Sequence, residues 1–202
     1  MQSKRTQAER SATTRSALLA AARPLFAQRG YAEVGTPELA AAAGVTRGAL
    51  YHQFADKAEL FAAVFEEVEA ELTDALGRRV AEAEATDPLG ALRVGAAAWL
   101  DASADPEVQR IVLLDAPSVL GWERFREVGM RHGLGLVEAV LGAAMEAGAI
   151  APQPLRPLAH ILIGAVDEAA LYVARADDPV AARAEVGAVL NGLIEGLARG
   201  SA

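Results

Sequence analysis

Hydrophobic positions recur at helical spacing along most of the chain. In two long stripes, each apolar side chain lies three or four residues from another member of its stripe, which is the period of an amphipathic helix. The stripes consist of Leu18, Ala21, Ala22 and Leu25, and of Leu60, Val64, Val68, Leu72 and Leu76. No stretch alternates between apolar and polar residues, and β-branched residues do not cluster as strands require. The pattern predicts an all-α protein.

Capping residues and prolines indicate where the helices begin. A cap oxygen accepts a free amide at a helix start, and proline at the first helical position loses only an N–H that would be unpaired there. Asp56 and Glu59 add a capping-box pattern. The cap–proline pairs are Thr36-Pro37, Asp87-Pro88, Asp105-Pro106 and Asp178-Pro179. The nine predicted helices cover about 12–28, 37–43, 47–53, 57–84, 88–102, 106–115, 118–147, 157–175 and 179–199, with a loop at 148–156.

Composition narrows the class of protein. The 202 residues are 52% hydrophobic, which excludes a disordered chain, and they include no cysteine. Disulfides, iron–sulfur clusters, thiolate zinc sites and cysteine nucleophiles are therefore excluded. The polar first residues do not resemble a secretory signal, and no run reaches the ~18 uncharged apolar residues of a membrane span. We expect a soluble, cytoplasmic protein with no membrane partner.

Charge is distributed unevenly between the two parts of the chain. The net charge is −8, yet residues 1–57 carry eight basic and four acidic side chains. The other 145 residues carry 11 basic and 23 acidic ones. A basic N-terminal part beside an acidic remainder is typical of a module that binds a polyanion, although a solvated surface can show the same bias by chance.

Residues 36–57 carry the strongest functional signal. A two-turn helix is predicted to end at Gly44, because glycine adopts the left-handed conformation without penalty, and Thr46 is predicted to cap a second short helix. Two short helices joined by such a turn form a helix-turn-helix, with an ordinary helical hairpin as the alternative. The expected core residues are Leu39, Ala43, Val45, Leu50 and Phe54. The residues expected to face outward are Thr46, Arg47, Gly48, Ala49, Tyr51 and His52.

From Thr13 to about Leu72 the sequence resembles the N-terminal DNA-binding domain of TetR-family transcriptional repressors. The stretch AARPLFAQRGYAEVGTPELAAAAGVTRGALYHQFADKAELFAAV matches the family pattern without a gap. The resemblance implies a three-helix head, residues 1–56, whose third helix enters the major groove of DNA. It also implies a helical ligand-binding and dimerisation domain, residues 57–202, which begins with a long fourth helix.

The resemblance also implies which residues contact the operator. Arg47, Gly48 and Ala49 match positions that contact bases. The positions that match phosphate contacts are Thr46, Tyr51, His52 and Lys57, and Thr36 anchors the preceding helix. Gly35 departs from the pattern, since the family more often has a β-branched or polar residue there.

The last two predicted helices have wide apolar faces that suit a homodimer interface through residues 157–199. The same faces would also close the core of a monomer. They consist of Leu158, Ile161, Leu162, Ala165, Val166, Ala169, Tyr172, Val186, Val189, Leu190, Leu193, Ile194 and Leu197.

Aromatic and apolar residues in the second part are candidates to line a cavity for a largely apolar small molecule. Three polar residues in apolar surroundings are candidates to orient it, but a capped helix end or a core hydrogen bond would explain each equally well. The candidate ligand-binding residues are Trp99, Asp115, Val119, Trp122, Phe125, Leu134, His160, Ile163 and Asp167.

Enzyme signatures are weak. His52, His132 and His160 lack metal-ligand spacing, so no metal site is predicted, and no cofactor is implied. Gly133-Leu134-Gly135 begins a dinucleotide-like motif, but Glu138 occupies the place of the third glycine.

We therefore expect a ligand-responsive repressor that binds a palindromic operator as a dimer and is released by a small molecule. A corepressor that tightens DNA binding is the alternative mechanism. A helical interaction protein that does not bind DNA is the alternative class, and salt-sensitive DNA binding distinguishes the two classes.

Overall fold

The computed structural model describes residues 6–83 and 88–199, and all regular structure in these ranges is helical, which confirms the all-α class. The α-helices are α1 (Gln7–Arg29), α2 (Thr36–Ala42), α3 (Arg47–Gln53), α4 (Lys57–Glu82), α5 (Pro88–Ala102), α6 (Pro106–Val108), α7 (Ala116–Leu120), α8 (Trp122–Glu146), α9 (Leu155–Ala174) and α10 (Pro179–Arg199). A π-helical segment, Gln109–Asp115, joins α6 to α7.

Helix α1 begins at Gln7, earlier than the predicted start near residue 12. The Thr6 hydroxyl accepts a hydrogen bond from the backbone N–H of Glu9, and the Glu9 carboxylate accepts one from the N–H of Thr6 at 2.7 Å. This reciprocal capping box satisfies two amides at the helix start. The cap therefore places the start of α1 well before Leu18, the first residue of the apolar stripe from which the helix was predicted.

The caps around the two short helices are partly as predicted. The Thr46 hydroxyl accepts from the Ala49 N–H at 3.1 Å, and Gly44 has a φ of 66°, which confirms the cap and the glycine turn. The cap predicted at Thr36 is wrong, because Thr36 is the first helical residue and Gly35 precedes it in extended conformation. Asp56 caps α4 by accepting from the Glu59 N–H at 2.8 Å.

Residues 106–120 form one helical stretch, and the sequence pattern placed its end incorrectly. The sequence predicted a helix end at 115 and a new helix at 118, but the π-helical segment continues directly into α7. The helical stretch ends instead at Gly121, whose φ is 77°. A φ in this range favours glycine, so the next helix begins at Trp122. The cap predicted at Asp87 and the predicted end of α4 at 84 lie outside the described residues.

The chain forms two compact units. Unit 1 contains residues 1–68 and 106–125, and unit 2 contains residues 69–105 and 126–202. In unit 1, Phe26, Tyr31 and Phe61 pack around one another, and the Phe26 and Phe61 ring centroids are 5.2 Å apart in an edge-on arrangement. Edge-on aromatic pairs and full burial of Phe26 and Phe61 stabilise this core.

Unit 2 is built on α5, α8, α9 and α10 together with the second half of α4. Its most buried cluster consists of Leu134, Leu141, Ala144, Ile150 and Ala159. Helix α9 begins at Leu155, inside the loop predicted for 148–156, because a proline in the first turn, Pro157, does not interrupt a helix.

Among the described residues, α9 is long and apolar enough to cross a membrane by length and composition alone. The rest of the chain buries only part of this helix, and Ile161 and Tyr172 are exposed on its surface. Helix α9 therefore carries apolar surface that the single chain does not bury.

Replacement of Gly30 by Ala should destabilise the protein by ~1–3 kcal/mol, because Gly30 has φ 79° and ψ 164°, a conformation that essentially only glycine adopts. A Cβ there would also lie 3.3 Å from the Arg110 and Asp115 side chains. The matched control is Gly135→Ala on α8, where a Cβ meets nothing within 4 Å, and it should stabilise by ~0.5–1 kcal/mol. Urea unfolding of both variants measures the difference, and equal stabilities would contradict the strain argument.

Candidate DNA-binding face and effector domain

The first turn of α3 presents its side chains to solvent. Thr46, Arg47, Gly48 and His52 are exposed and Ala49 is half-buried, whereas Leu50 is fully buried beneath them. The short side chains at the start of the helix let its backbone approach another surface closely. This arrangement matches the outward set that the sequence predicted.

A small polar network joins α3 to the start of α2. The Tyr51 hydroxyl lies 3.3 Å from the Thr36 hydroxyl, and the Arg47 guanidinium lies 5.7 Å from the centroid of the Tyr51 ring. Hydrogen bonding to Thr36, and secondly to Arg47, lowers the pKa of Tyr51. Thr36, Arg47 and Tyr51, all predicted operator contacts, are therefore neighbours. Together they present two hydroxyl groups and a guanidinium on one surface.

Lys57 lies at the start of α4 and has a structural role in unit 1. Its ammonium donates to the backbone carbonyls of Tyr31 at 2.8 Å and Val34 at 3.0 Å, and it lies 3.9 Å from the centroid of the Tyr31 ring. Because an ammonium has three donors, these two bonds leave one donor for another acceptor. Lys57 thus holds the turn before α2 while it retains capacity to contact a phosphate.

The segment 106–120 is bonded to α1 and to the turn that follows α1. Arg23 pairs with Glu107 through two hydrogen bonds of 2.9 and 2.8 Å, and the Asp115 carboxylate accepts from the Tyr31 N–H at 2.7 Å. A two-point pair between a guanidinium and a carboxylate is directional as well as strong. Asp115, predicted to orient a ligand, therefore has a hydrogen bond to the turn that follows α1.

The predicted ligand-binding residues are divided between the two units. Phe125 stacks on Phe65 at 5.7 Å and lies 5.8 Å from Trp122, which is 69% exposed. The Nε1 atom of Trp99 is buried and has no hydrogen-bond partner among the described residues. Unit 1 holds Asp115, Val119, Trp122 and Phe125, and unit 2 holds Trp99, Leu134, His160, Ile163 and Asp167.

Within unit 2, Leu134 is part of the buried cluster and His160 is exposed. Ile163 packs against the same buried cluster, and Asp167 follows it by four residues on α9. Ile163 and Asp167 therefore share a face of that helix. Their role in ligand binding stays a prediction.

Asp167 belongs to a charged cluster that sequence reasoning missed. Arg126 of α8 donates to its carboxylate at 2.7 Å, and Glu69 of α4 is only 8% exposed. Burial, and secondly the charge of Asp167, raises the pKa of Glu69 to about 7, although Arg126 acts in the opposite direction. Burial raises the pKa of Asp167 to about 6 against the opposing effect of Arg126.

A sequence signal for Glu69 existed. Glu69 follows Phe61 and Phe65 at successive intervals of four residues, which places a carboxylate on a buried face of α4. The pairing of Arg23 with Glu107 left no such signal, because the two residues are 84 positions apart.

Replacement of Glu69 by Gln should stabilise the protein above pH 7. The folded-state pKa of about 7 exceeds the usual 4.5, so the carboxyl stabilises the fold below pH 4.5 and loses that contribution as the pH rises through 7. At pH 8 the variant should gain roughly 2–3 kcal/mol, and at pH 5 much less. Thermal unfolding at both pH values measures this, with exposed Glu67→Gln as the control. A gain that does not depend on pH would contradict the assignment.

Two family models match the chain. The model described as bacterial regulatory proteins, tetR family, matches residues 18–64, and the model described as tetracyclin repressor-like, C-terminal domain, matches residues 89–197. The second match alone covers more than half of the 202 residues.

Similar proteins are regulators of the same family. A crystal structure of a TetR-family transcriptional regulator from Pectobacterium atrosepticum has a TM-score of 0.82 and 37% identity, covering 96% of this chain and 97% of that one. The TetC protein of transposon Tn10 from Escherichia coli is 26% identical over 72% of this chain and 73% of its own length. The regulator CymR of Pseudomonas putida is 39% identical over 42% of this chain and 41% of its own.

These regulators act on DNA and are not enzymes. The family binds operators and small-molecule effectors and acts as dimers. The helix-turn-helix geometry, the matches to both domains and the whole-length similarity agree, and the chain belongs to the TetR family of bacterial transcriptional regulators.

Proposed function

We propose that this regulator is a cytoplasmic repressor that binds a palindromic operator as a homodimer and leaves it when a small molecule binds. The observation that carries the proposal is the exposed start of α3, where Arg47 and Tyr51 lie beside small residues. Arginine is the residue that most often recognises guanine in the major groove. The proposed operator contacts are Thr36, Thr46, Arg47, Gly48, Ala49, Tyr51, His52 and Lys57.

The unburied faces of α9 and α10 support dimerisation. Leu190 and Ile194 are buried within the single chain, whereas Val189 and Leu193, on the same helix, are 63% and 53% exposed. Together with exposed Ile161 and the other residues of 157–199, they form an apolar surface that a second subunit would cover. A two-fold dimer then presents two recognition helices about one DNA turn apart, ~34–36 Å, on a palindrome.

The chain connections suggest how an effector would act on the operator contacts. Unit 1 contains the head helices, the first half of α4 and residues 106–125, and the chain passes between the units at residues 68–69, 105–106 and 125–126. An effector releases DNA only if it prefers a conformation in which the recognition helices are wrongly spaced. The proposed lever consists of α4 and the segment 106–120, because this segment bonds to Arg23 of α1 and to the N–H of Tyr31 in the turn after α1.

Arg47→Ala and Lys57→Met should weaken DNA binding in different ways. Loss of Arg47 should cost ~1–3 kcal/mol on the preferred operator and relax its sequence preference, if the guanidinium pairs with guanine. Loss of Lys57 should weaken binding to all DNA sequences similarly and reduce the slope of log affinity against log salt concentration by roughly one. It should also lower the free energy of unfolding, because the carbonyls of Tyr31 and Val34 lose their donor.

Gel-shift titrations at several salt concentrations measure both effects, on a duplex selected from a random library. Gln28→Ala, which changes an exposed side chain of α1, is the control. Wild-type binding by both variants would refute the DNA-binding face.

Leu193→Glu should convert the dimer into a monomer. The substitution places an unpaired charge on a surface that we propose is apolar and covered in the dimer, but it leaves the core of the single chain intact. Light scattering at micromolar concentration measures the mass, and Ala184→Glu, on the opposite face of α10, is the control. A monomeric wild type, or a Leu193→Glu variant that remains dimeric, would refute this interface.

A further inference from the structure

The hydroxyl of Thr36 contacts α3 rather than its own helix. Gly35 occupies the N-cap position of α2, and Thr36 is the first helical residue. The Thr36 hydroxyl lies 3.3 Å from the hydroxyl of Tyr51 on α3. Tyr51 is 44% exposed, so this bond forms on the surface of the head and not in its core. Side chains therefore join the two short helices on the face that we propose contacts DNA.

Tyr51 in turn contacts Arg47, which lies one turn earlier on the same helix. The guanidinium carbon is 5.7 Å from the centroid of the Tyr51 ring, within the range of a cation–π contact. Hydrogen bonding to Thr36, and secondly to Arg47, lowers the pKa of Tyr51, so both neighbours act on one hydroxyl. Arg47 is exposed and forms no ion pair within residues 6–83 and 88–199. The position of its guanidinium thus depends on Tyr51.

Donors and acceptors in this group of three side chains fit a directed order. A guanidinium only donates hydrogen bonds, so the Tyr51 oxygen accepts from Arg47. A phenol has a single hydrogen, which Tyr51 then donates to the Thr36 oxygen. Hydrogen bonds in such a chain polarise and strengthen one another. The hydrogen of the Thr36 hydroxyl and the other N–H groups of Arg47 stay available for DNA.

We propose that Thr36 and the Tyr51 hydroxyl position the guanidinium of Arg47, and that they thereby determine how strictly the head discriminates at the base pair that Arg47 contacts. This role differs from a phosphate contact, which acts on all sequences alike. The inference rests on the proposed function, because it names the residues that set the sequence specificity of the DNA-binding face.

A guanidinium that is already held in place improves discrimination in two ways. On the correct base it avoids the cost of ordering a flexible side chain, which is worth roughly two- to tenfold in affinity. On a wrong base it cannot turn away to a phosphate and stays unpaired, which weakens the wrong complex. Loss of the Thr36 or Tyr51 hydroxyl should therefore relax one base pair and leave the others unchanged.

The test measures base discrimination by gel shift with the full-length protein. Affinities are compared for the selected duplex and for duplexes in which each of its base pairs is replaced in turn. Arg47→Ala first identifies the base pair at which discrimination falls most. At that base pair Thr36→Val and Tyr51→Phe should each lower discrimination by about threefold or more, and at the other base pairs by less than about twofold. Thr36→Ser, which keeps the hydroxyl, should discriminate as the wild type does.

Two further variants serve as controls. In the Arg47→Ala background, Thr36→Val should cause no further loss at that base pair, because the group that it positions is absent. Thr13→Val removes an exposed hydroxyl of α1 by the same change of side chain, and it should bind every duplex as the wild type does.

The inference is overturned if Arg47→Ala relaxes no base pair, or if Thr36→Val and Arg47→Ala relax different ones. It is also overturned if Thr36→Val and Tyr51→Phe weaken all duplexes equally, as loss of a phosphate contact or damage to the fold would. Wild-type discrimination by Thr36→Val refutes the positioning role alone and leaves the repressor intact. A wild type that selects no duplex refutes the repressor, and this inference with it.

Discussion

The turn between α1 and α2 is the constraint on which the DNA-binding head depends. Gly30 makes a bend that side chains rarely permit, Asp115 accepts the Tyr31 N–H, and Lys57 donates to the carbonyls on both sides of the turn. Backbone groups in such a turn need partners when they are shielded from water. Here charged side chains from two distant parts of the sequence provide them. The orientation of α2, and hence of α3, follows from these bonds.

The second unit has more apolar surface than one chain buries. Helix α9 passes a length-and-composition test for a membrane span, yet it also carries Asp167, which is bonded to Arg126. A partly buried ion pair with a neighbouring helix indicates that this face of α9 packs against protein. Unburied Ile161 and Tyr172 on the same helix are then more consistent with a subunit partner than with lipid. The apolar character of α9 thus has two parts, a face that packs within the chain and the exposed face that we propose a second subunit covers.

Much of the head could be predicted from local sequence because its determinants are local. Thr46 caps a helix three residues ahead and Gly44 forms a tight turn, so short windows contain all the information needed. The π-helical segment was not predictable, since its apolar spacing is also compatible with an α-helix. Contacts such as the one between Asp115 and Tyr31 join residues 84 positions apart, and no single sequence indicates which distant groups meet. For the charged cluster, the sequence predicts that Glu69 lies on a buried face of α4. It does not indicate that Arg126 and Asp167 are the charged residues near it.

The π-helical segment has a consequence for how the molecule changes state. One anchor, Glu107, lies on α6 just before the segment and bonds to Arg23 of α1. The other, Asp115, is the last residue of the segment and accepts from the N–H of Tyr31, two residues after α1 ends. A π-helix bonds each residue to one five positions away, so conversion to an α-helix changes the number of residues per turn and rotates one anchor relative to the other. A change of register in this segment would therefore alter the alignment of Glu107 with Arg23 relative to that of Asp115 with Tyr31.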